Sequence, residues 1–387
     1  MSATLDALAA RWAWAEIDLA ALQHNVRVLA ARSAPAQPWV VVKADAYGHG
    51  AVPVSRAALG AGAAGLCVAL VAEGVELRSA GIDAPILVLS EQPPELAAML
   101  VAHGLTATVY TPEGVDALAL AAAAAVSHPV HLKLDTGMHR VGARVADAAA
   151  LVRRIAASPS LRLAGVFTHL AMADEPDDPA THAQLAAFDD ALAALALDDD
   201  VVVHAANSAG ALAHVAARRS LVRLGIAVYG LPPGPGVAAL GADLRTVLSL
   251  RARVSFVKRL QAGDRLSYGL RHELNADATV ATLPLGYADG VPRRLFATGG
   301  QVLVGGKRRP IVGVVTMDQL MVDCGDDPVV VGDEAVLIGR QGDAEVTATE
   351  WADRLGTINY EIVCGISARL PRRYGPGPSE GSPSAHR

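Results

Sequence analysis

The stretch Trp39-Val-Val-Val-Lys43-Ala-Asp-Ala-Tyr-Gly-His-Gly50 brings a lysine to the end of an apolar segment. Three of the four apolar residues before the lysine are β-branched, which favours a buried β-strand. An ammonium group at the end of such a strand loses hydration, and this loss lowers its pKa. A neutral amine can attack an aldehyde and form a Schiff base. Lys43 is therefore a candidate carrier of an aldehyde cofactor, although a surface lysine at a strand end gives the same pattern.

Similar apolar runs recur through the first two thirds of the chain, with Ala- and Leu-rich amphipathic segments between them. The runs cover residues 39–43, 64–70, 85–90, 105–110, 129–135, 161–168, 201–205 and 221–229. Runs that are apolar on both faces, each followed by a helix, predict an α/β fold with a covered parallel sheet. Eight runs fit a closed (β/α)8 TIM-type barrel best. An open doubly wound sheet is the alternative that periodicity leaves open.

The pattern changes at a cluster of Pro and Gly over residues 231–236, which is a typical boundary signal. Beyond it the apolar runs are β-like and are separated by Gly-containing turns. These runs cover residues 246–257, 279–285, 301–304, 309–315, 319–323 and 334–338. We therefore predict a barrel over residues 1–240 and a mainly antiparallel β domain over residues 241–374. The tail over residues 375–387 is rich in Gly, Pro and Ser, and we expect it to be disordered.

Composition excludes several classes of partner. The 387 residues carry a formal net charge of -6, which argues against nucleic acid and anionic membrane as main partners. Three widely separated cysteines and no CxxC pair predict neither a disulfide framework nor a metal site. The chain begins with no secretion signal and holds no apolar run long enough to span a bilayer, so the expected location is the cytoplasm.

Polar residues follow several of the predicted barrel strands. They are Lys43 with Tyr47, Arg140, His169, Asn207 with Ser208, and Arg223 with Gly225. Each alone has a structural explanation, such as a buried histidine, a helix N-cap or half of an ion pair. In a (β/α)8 barrel, however, chemistry sits at the carboxyl ends of the strands. Their joint occurrence at one end of the barrel therefore predicts a single site.

The same end of the barrel offers groups that bind an anion. Helix N-termini and Gly turns present backbone N–H groups to phosphate, and Asn207-Ser208 and Gly225-Ile226 fit that description. Tyr47 can add a phenolic hydrogen bond. A phosphate-bearing aldehyde joins this anion site to the lysine, so we expect pyridoxal 5'-phosphate as the cofactor.

At this point the sequence resembles the alanine racemase family, whose fold is a (β/α)8 barrel followed by a β domain. The resemblance runs from about Trp14 to Arg372 and rests on motifs in family order. These are Val42-Lys43-Ala-Asp-Ala-Tyr-Gly-His-Gly50, Lys133-Leu-Asp-Thr-Gly-Met-His-Arg140-Val-Gly142, Leu266-Ser-Tyr268-Gly269, Leu285-Gly-Tyr287-Ala-Asp-Gly290, Thr316-Met317-Asp318 and Thr357-Ile-Asn-Tyr360-Glu361.

The resemblance implies a reaction and its two bases. Lys43 would hold the cofactor and act as one base, and Tyr268 would act as the base on the opposite face of the substrate. In this family the tyrosine comes from the second subunit, so the resemblance implies a homodimer with shared active sites. The activity implied is interconversion of L-alanine and D-alanine, which supplies D-alanine for peptidoglycan.

The resemblance also implies cofactor contacts. Arg223 would face the pyridine nitrogen, and Arg140 would contact the phenolic oxygen and help place the substrate carboxylate. Lys133 resembles a lysine that is carbamylated in many members, which would let it orient Arg140. Further expected cofactor contacts are His169, Asn207, Ser208, Gly225, Ile226, Tyr47 and Tyr360.

On the substrate side, the resemblance assigns Met317 and Asp318 to the wall of the binding site, across the subunit interface. Tyr287 and Arg293 would line the corridor through which substrate enters. Two other interpretations remain open. A racemase of broader or different amino-acid specificity would differ only in the width of its pocket. A non-catalytic pyridoxal-phosphate-binding barrel would keep the lysine, but the β domain with Tyr268 argues against it. A decarboxylase of the same fold is disfavoured because Arg223 stands where an acidic residue would protonate the pyridine.

Overall fold

The computed structural model of the protein describes residues 11–123 and 127–375. In chain order its strands are β1 (Ala13–Asp18), β2 (Gln37–Val41), β3 (Gly65–Val68), β4 (Ile86–Val88), β5 (Ala107–Val109), β6 (His128–Asp135), β7 (Ala143–Arg144), β8 (Leu161–Phe167), β9 (Val202–His204), β10 (Leu221–Leu224), β11 (Leu248–Arg253), β12 (Phe256–Leu260), β13 (Arg265–Leu266), β14 (His272–Glu273), β15 (Ala278–Leu283), β16 (Gln301–Val304), β17 (Lys307–Val312), β18 (Leu320–Asp323), β19 (Glu334–Gln341), β20 (Ala344–Val346) and β21 (Arg372–Gly375).

The α-helices are α1 (Leu19–Ser33), α2 (Lys43–Gly48), α3 (Ala51–Gly60), α4 (Val71–Ser79), α5 (Ala97–Ala102), α6 (Pro112–Ala121), α7 (Ala148–Ala156), α8 (Ala180–Leu195), α9 (Ser208–Ala213), α10 (Ala348–Leu355) and α11 (Asn359–Cys364). The described chain falls into two compact units. The barrel unit comprises residues 21–46 and 51–245, and the β unit comprises residues 47–50 with the described residues before Ala21 and after Arg245.

The barrel unit contains all eight strands predicted from the apolar runs, and they pair in parallel. One sheet has the order β10-β2-β3-β4, and the other has the order β5-β6-β8-β9 with β7 beside β6. A bridge between Leu87 and Thr106 links β4 to β5. Beside β9 and β10, the Ser220 amide donates to the Val203 carbonyl at 3.0 Å. The observed order is that of a (β/α)8 barrel, which confirms the predicted fold class.

Local sequence explains why these segments form strands and helices. Strands β3, β4, β5 and β10 are buried at every position, as expected for strands covered on both faces. Thr111 caps α6 by accepting a hydrogen bond from the Gly114 amide at 3.0 Å, and Pro112 occupies the first helical position. Tyr229 is fully buried and donates its hydroxyl to the Val41 carbonyl at 2.8 Å, which satisfies its polar atom.

The β unit is built on one long sheet with the order β12-β15-β18-β17-β16-β19-β11-β1-β21, and β20 pairs with β19. Every pair along this path is antiparallel except β1 with β21. The burial of β18 alternates along the strand, as expected for a strand with one covered face. The sheet confirms the predicted antiparallel character of the second region. The described part of the chain has no helix long and apolar enough to cross a membrane.

The structure differs from the predicted boundary of residues 1–240. Strand β1 lies in the long sheet, where Ala13 pairs with Ala252 and Ala15 with Arg372. Residues 47–50 also belong to the β unit. The prediction placed both segments in the barrel because the partners of β1 are more than two hundred positions away, and no local pattern reveals them. The predicted disorder of the tail concerns residues that lie outside the described part, apart from Gly375.

Candidate active site

A cluster of cationic side chains occupies the carboxyl ends of the barrel strands. Lys43 follows β2, Arg223 lies in β10, and Arg140 follows β6. All three act electrostatically on both Lys133 and His169, so the five groups lie close to one another. The structure therefore brings together five residues that the sequence analysis assigned to one site. Such a cluster is suited to an anionic ligand.

Arg223 is the buried arginine of the cluster and is 3% exposed. Its Nη1 lies 2.6 Å from Nδ1 of His204, and its Nη2 donates to the carbonyls of Thr168 and Ala205 at 2.8 Å each. Nη2 also lies 3.3 Å from Nδ1 of His169. These four contacts use neither the Nε–H nor the second Nη1–H of Arg223. The guanidinium is thus held rigidly by the protein, with its position fixed in the barrel.

Two histidines that the sequence analysis did not assign complete a hydrogen-bond chain. Arginine can only donate, so Nδ1 of His204 must accept and its proton must sit on Nε2. That Nε2 lies 2.9 Å from Nδ1 of His131, which must therefore accept in turn. Burial and the charge of Arg223 lower the pKa of His131 to about 3 and that of His204 well below 6.5. Both rings are neutral, and the His204 ring stacks on Phe167 with centroids 4.5 Å apart.

Lys133 is a buried amine with an altered pKa. Its Nζ lies 5.5 Å from the centroid of the Phe167 ring. Burial, followed by the charges of Arg223, Arg140 and Lys43, lowers the pKa of Lys133 from 10.5 to about 8. The negative charge of Asp135 raises the pKa of Lys133 and so opposes these effects. Asp135 Oδ1 also accepts hydrogen bonds from the backbone amides of the turn that leads to Arg140.

The segment that carries Lys43 has an uncommon backbone. Ala44, Asp45, Ala46 and Tyr47 all have φ between 51° and 55°, a region that non-glycine residues rarely enter. Two carboxylates secure this left-handed segment, α2, one at its start and one just beyond its end. The Ala44 amide donates to Glu73 Oε1 at 2.6 Å, and Asp45 Oδ1 accepts from the Ala51 amide at 2.7 Å. Strain held in this way is typical of functional sites, and here it fixes the backbone that follows Lys43.

The predicted phosphate-binding groups form a connected structure. Asn207 caps α9 by accepting from the Gly210 amide at 2.9 Å. Ser208 Oγ accepts from the Gly225 amide at 2.8 Å and from the Ala227 amide at 3.4 Å. The Gly225 amide, predicted to face an anion, is therefore engaged by Ser208. The Ser208 and Ala209 amides in the first turn of α9 have no intrahelical acceptors, and for them the anion-binding role stays a prediction.

The other predicted site residues belong to the β unit. The rings of Tyr47 and Tyr360 lie 6.1 Å apart, centroid to centroid. Gly48 approaches α11 so closely that a Cβ atom would meet the Val363 carbonyl oxygen at 2.5 Å. Arg372 Nε donates to the Gly48 carbonyl at 3.0 Å. Only glycine fits at position 48, and this fit keeps Tyr47 next to Tyr360.

Tyr268 stands on a strained turn at the surface of the β unit and is 73% exposed. Ser267 before it has φ 63°, and Leu270 after it has φ 46°. Ser267 Oγ donates to the Val314 carbonyl at 2.8 Å and ties the turn to the sheet. A groove of about 830 Å³ in the β unit is lined by Tyr268, Phe256 and Met321 among others. The fold therefore presents the phenol outward rather than burying it.

The remaining predicted residues lie on two adjacent loops of the β unit. Met317 is 54% exposed and Tyr287 is 42% exposed. The Tyr287 amide donates to the Thr316 carbonyl at 2.9 Å, so the two loops are joined. Arg293 is exposed at the start of a short 3-10 helix. Across residues 11–123 and 127–375, no group of three or more His, Cys, Asp or Glu side chains is arranged to hold a metal ion.

The chain has a (β/α)8 barrel with a cationic cluster around Lys43 at the carboxyl ends of its strands. An antiparallel β domain with an exposed tyrosine, Tyr268, follows in the sequence. Together these features define a two-domain class of barrel enzymes. Residues 17–233 match the model of the alanine racemase N-terminal domain, and residues 247–374 match that of the C-terminal domain. The chain belongs to the alanine racemase family.

Individual relatives agree with this assignment over nearly the whole chain. An alanine racemase of Symbiobacterium thermophilum is 50% identical over 366 residues, which cover 94% of this chain and 97% of the relative. A solved alanine racemase from D-cycloserine-producing Streptomyces lavendulae superposes with a TM-score of 0.88 at 41% identity, covering 94% of this chain and 97% of that one. A histidine racemase from Leuconostoc mesenteroides superposes with a TM-score of 0.88 at 29% identity, covering 95% and 98%.

Proposed function

We propose that the protein is an alanine racemase that interconverts L-alanine and D-alanine with pyridoxal 5'-phosphate as its cofactor. The observation that carries the proposal is the cationic cluster of the barrel mouth, in which Lys43 lies near a buried Arg223. Membership of the family over both domains supports the same reaction. The product D-alanine would serve peptidoglycan synthesis, as in the family.

The residues present fit this cofactor because it is anionic and the side-chain cluster at the carboxyl ends of the barrel strands is cationic. Lys43 would hold the aldehyde carbon, and Arg223 would donate from Nε to the pyridine nitrogen. Arg140 and His169 would contact the phenolic side. Ser208, Asn207 and Ile226 would bind the phosphate, and Gly225 would hold Ser208 in place through the hydrogen bond that its amide donates. When bound, pyridoxal phosphate withdraws electrons from the substrate and makes its Cα proton acidic.

Racemisation then needs proton transfer on both faces of Cα. The Lys43 amine would take or return the proton on one face, and the Tyr268 phenol would do so on the other. Burial lowers the pKa of Arg223 to about 10, which still leaves the guanidinium charged at neutral pH. Arg223 therefore donates a hydrogen bond without giving up its proton. A ring nitrogen that stays unprotonated is a weaker electron sink, which disfavours side reactions such as transamination.

We further propose that the active unit is a homodimer in which Tyr268, Met317 and Asp318 serve the site of the other subunit. The exposure of Tyr268, together with the exposed apolar side chains of Phe256 and Leu270, supports this arrangement. In a two-fold dimer each subunit gives the same residues to its partner, so two equivalent sites result. A cytoplasmic location is supported by three free cysteines, which are typical of reducing compartments.

The decisive experiment follows the circular dichroism of enantiopure amino acids mixed with the protein. We expect loss of signal from either enantiomer of alanine, and much slower loss from serine, histidine and lysine. The fold is also that of a histidine racemase. If another amino acid of the panel loses its signal faster than alanine, that amino acid is the substrate. No change for any amino acid would identify a cofactor-binding protein without racemase activity.

We also propose that Lys133 is carbamylated. The neutral Nζ would form a bond to the carbon of CO2 and release one proton. Since its pKa is about 8, about a quarter of the amine is neutral at pH 7.5, against about 0.1% for an ordinary lysine. The negative carbamate would then face Arg140 and hold it in place.

With 13C-labelled bicarbonate, we expect a carbamate NMR signal from the wild type that Lys133→Gln abolishes. The pKa predicts that the signal weakens as pH falls below 8, where the amine binds a proton. Lys258→Gln is the matched control, because Lys258 is an exposed lysine of β12 and should leave the signal unchanged. A fully active enzyme without the signal would show that Lys133 acts as a plain amine.

A further inference from the structure

A buried carboxylate of the β unit, Asp289, has no part in the reaction described above. It is fully buried. Its Oδ2 accepts the Gly286 amide at 3.0 Å, and its Oδ1 accepts from Arg11 Nη2 at 2.6 Å. Arg369 Nε lies 3.5 Å from the same Oδ1. A buried charge is costly unless it is paired, so two guanidinium groups on one carboxylate indicate a built arrangement rather than a chance contact.

Arg369 connects this buried carboxylate to the predicted substrate wall. Its Nη2 donates to Asp318 Oδ1 at 2.8 Å. Its own backbone carbonyl accepts from Arg11 Nη1 at 2.7 Å. Arg11, Asp289, Arg369 and Asp318 therefore form a line of alternating charges. We call this line the charge line. Of its two carboxylates, Asp289 is fully buried and Asp318 has a side chain that is 58% exposed.

The backbone at the buried end of the charge line joins the two loops that carry Tyr287 and Met317. The Tyr287 amide donates to the Thr316 carbonyl at 2.9 Å, and the Ala288 amide donates to the Met317 carbonyl at 3.0 Å. Gly286 lies so close that a Cβ would meet the Thr316 carbonyl oxygen at 2.1 Å. Asp289 therefore stabilises the loop of Tyr287 through the Gly286 amide. Arg369 holds the Asp318 side chain of the loop that carries Met317.

We propose that Asp289 and Arg369 are positioning residues that set substrate selectivity by fixing Asp318 and its neighbour Met317. This inference rests on the proposed function, which puts Met317 and Asp318 at the substrate wall. An exposed aspartate free of Arg369 would sample several rotamers, and the wall would yield to longer side chains. Held by Arg369, the wall keeps one shape that admits a methyl group. Arg369 also neutralises a carboxylate that would otherwise repel the carboxylate of the arriving amino acid.

The test compares Arg369→Gln with the wild-type holoenzyme on alanine, serine and 2-aminobutyrate. Exposed ion pairs are weak, so we expect KM for alanine to rise about fivefold while kcat changes by less than about twofold. The ratio of kcat/KM for alanine over 2-aminobutyrate should fall about tenfold, in line with the discrimination that one methylene supplies. Arg369→Lys should restore part of the selectivity, because an ammonium can still pair with Asp318.

A double-mutant cycle with Asp318→Asn tests whether the two residues act as one unit. We expect the double variant to have the KM of the more impaired single variant, since both changes break the same pair. Arg340→Gln is the matched control. Arg340 forms a surface pair with Glu345 at 3.1 Å in the same unit, and its loss should change neither KM nor selectivity.

Amide hydrogen exchange gives a readout that does not depend on activity. Asp289→Asn removes the charge that pairs Arg11 and Arg369, so we expect faster exchange of the Tyr287 and Ala288 amides in the holoenzyme. The inference is overturned if Arg369→Gln leaves KM and selectivity unchanged. It is also overturned if that variant loses kcat equally for all substrates together with thermal stability, which would mark a purely structural role. A wild-type protein inactive on alanine would instead overturn the proposed function.

Discussion

Lys43→Ala should abolish alanine racemisation, with kcat lower by about 10³-fold or more, because the change removes the covalent anchor and one of two bases together. Covalent attachment of the cofactor should disappear at the same time. The measurement combines the circular dichroism assay with borohydride reduction and peptide mass analysis. In the wild type, the reduced cofactor should be found on the peptide that contains Lys43.

Lys307→Ala is the matched control for this experiment. Lys307 is an exposed lysine of the β unit that pairs with Asp327 at 2.9 Å. Its removal should leave both the activity and the cofactor attachment at wild-type level. Reduced cofactor on any lysine other than Lys43, or a Lys43→Ala variant that still racemises alanine, would contradict the assignment of Lys43.

Tyr268→Phe should reduce racemisation in both directions by the same factor, about 10²–10⁴-fold, which is the usual contribution of a general acid or base. The two enantiomers of alanine are equally stable, so the loss of one base must lower kcat/KM by the same factor for L-alanine and for D-alanine. Exchange of the Cα proton with solvent should behave differently. In D2O it should persist for the one enantiomer whose proton faces Lys43 and should cease for the other.

The exposure of Tyr268 supplies the control. Tyr268→Phe keeps the aromatic ring and removes one hydroxyl from a side chain that is 73% exposed in the single chain, so the variant should keep the melting temperature of the wild type. Proton NMR in D2O measures the exchange of each enantiomer separately. Equal exchange of both enantiomers in the variant would contradict the assignment of two bases, because Lys43 or another group would then serve both faces.

Sequence patterns predicted the barrel correctly because its strands are short, buried on both faces and separated by helices. The burial of β3 and β4 at every position is what makes them visible as apolar runs. Strand β1 was assigned to the wrong unit because pairing with β11 and β21 depends on residues far along the chain. The β-like pattern of the second region does not reveal helix α11, since it is short and follows closely on α10.

The candidate site was predictable where a residue follows a strand and unpredictable where it acts through another residue. Lys43, His169 and Arg223 could be found from their positions in the apolar runs. His131 and His204 lie in runs too, but their importance comes from contacts with each other and with Arg223. Asp289 appears in the sequence only as part of a Gly-rich turn, and its two arginine partners are distant in the chain.

The sequence by itself determined the order of strands and helices, the lysine at the end of β2 and the family motifs, because periodicity and turn residues act over a few neighbouring positions. Tertiary structure alone decided the neutral state of His204, the lowered pKa of Lys133 and the pairing of Asp289. These properties depend on desolvation and on charges within a few ångströms, and the groups responsible come from strands and loops that only folding brings together.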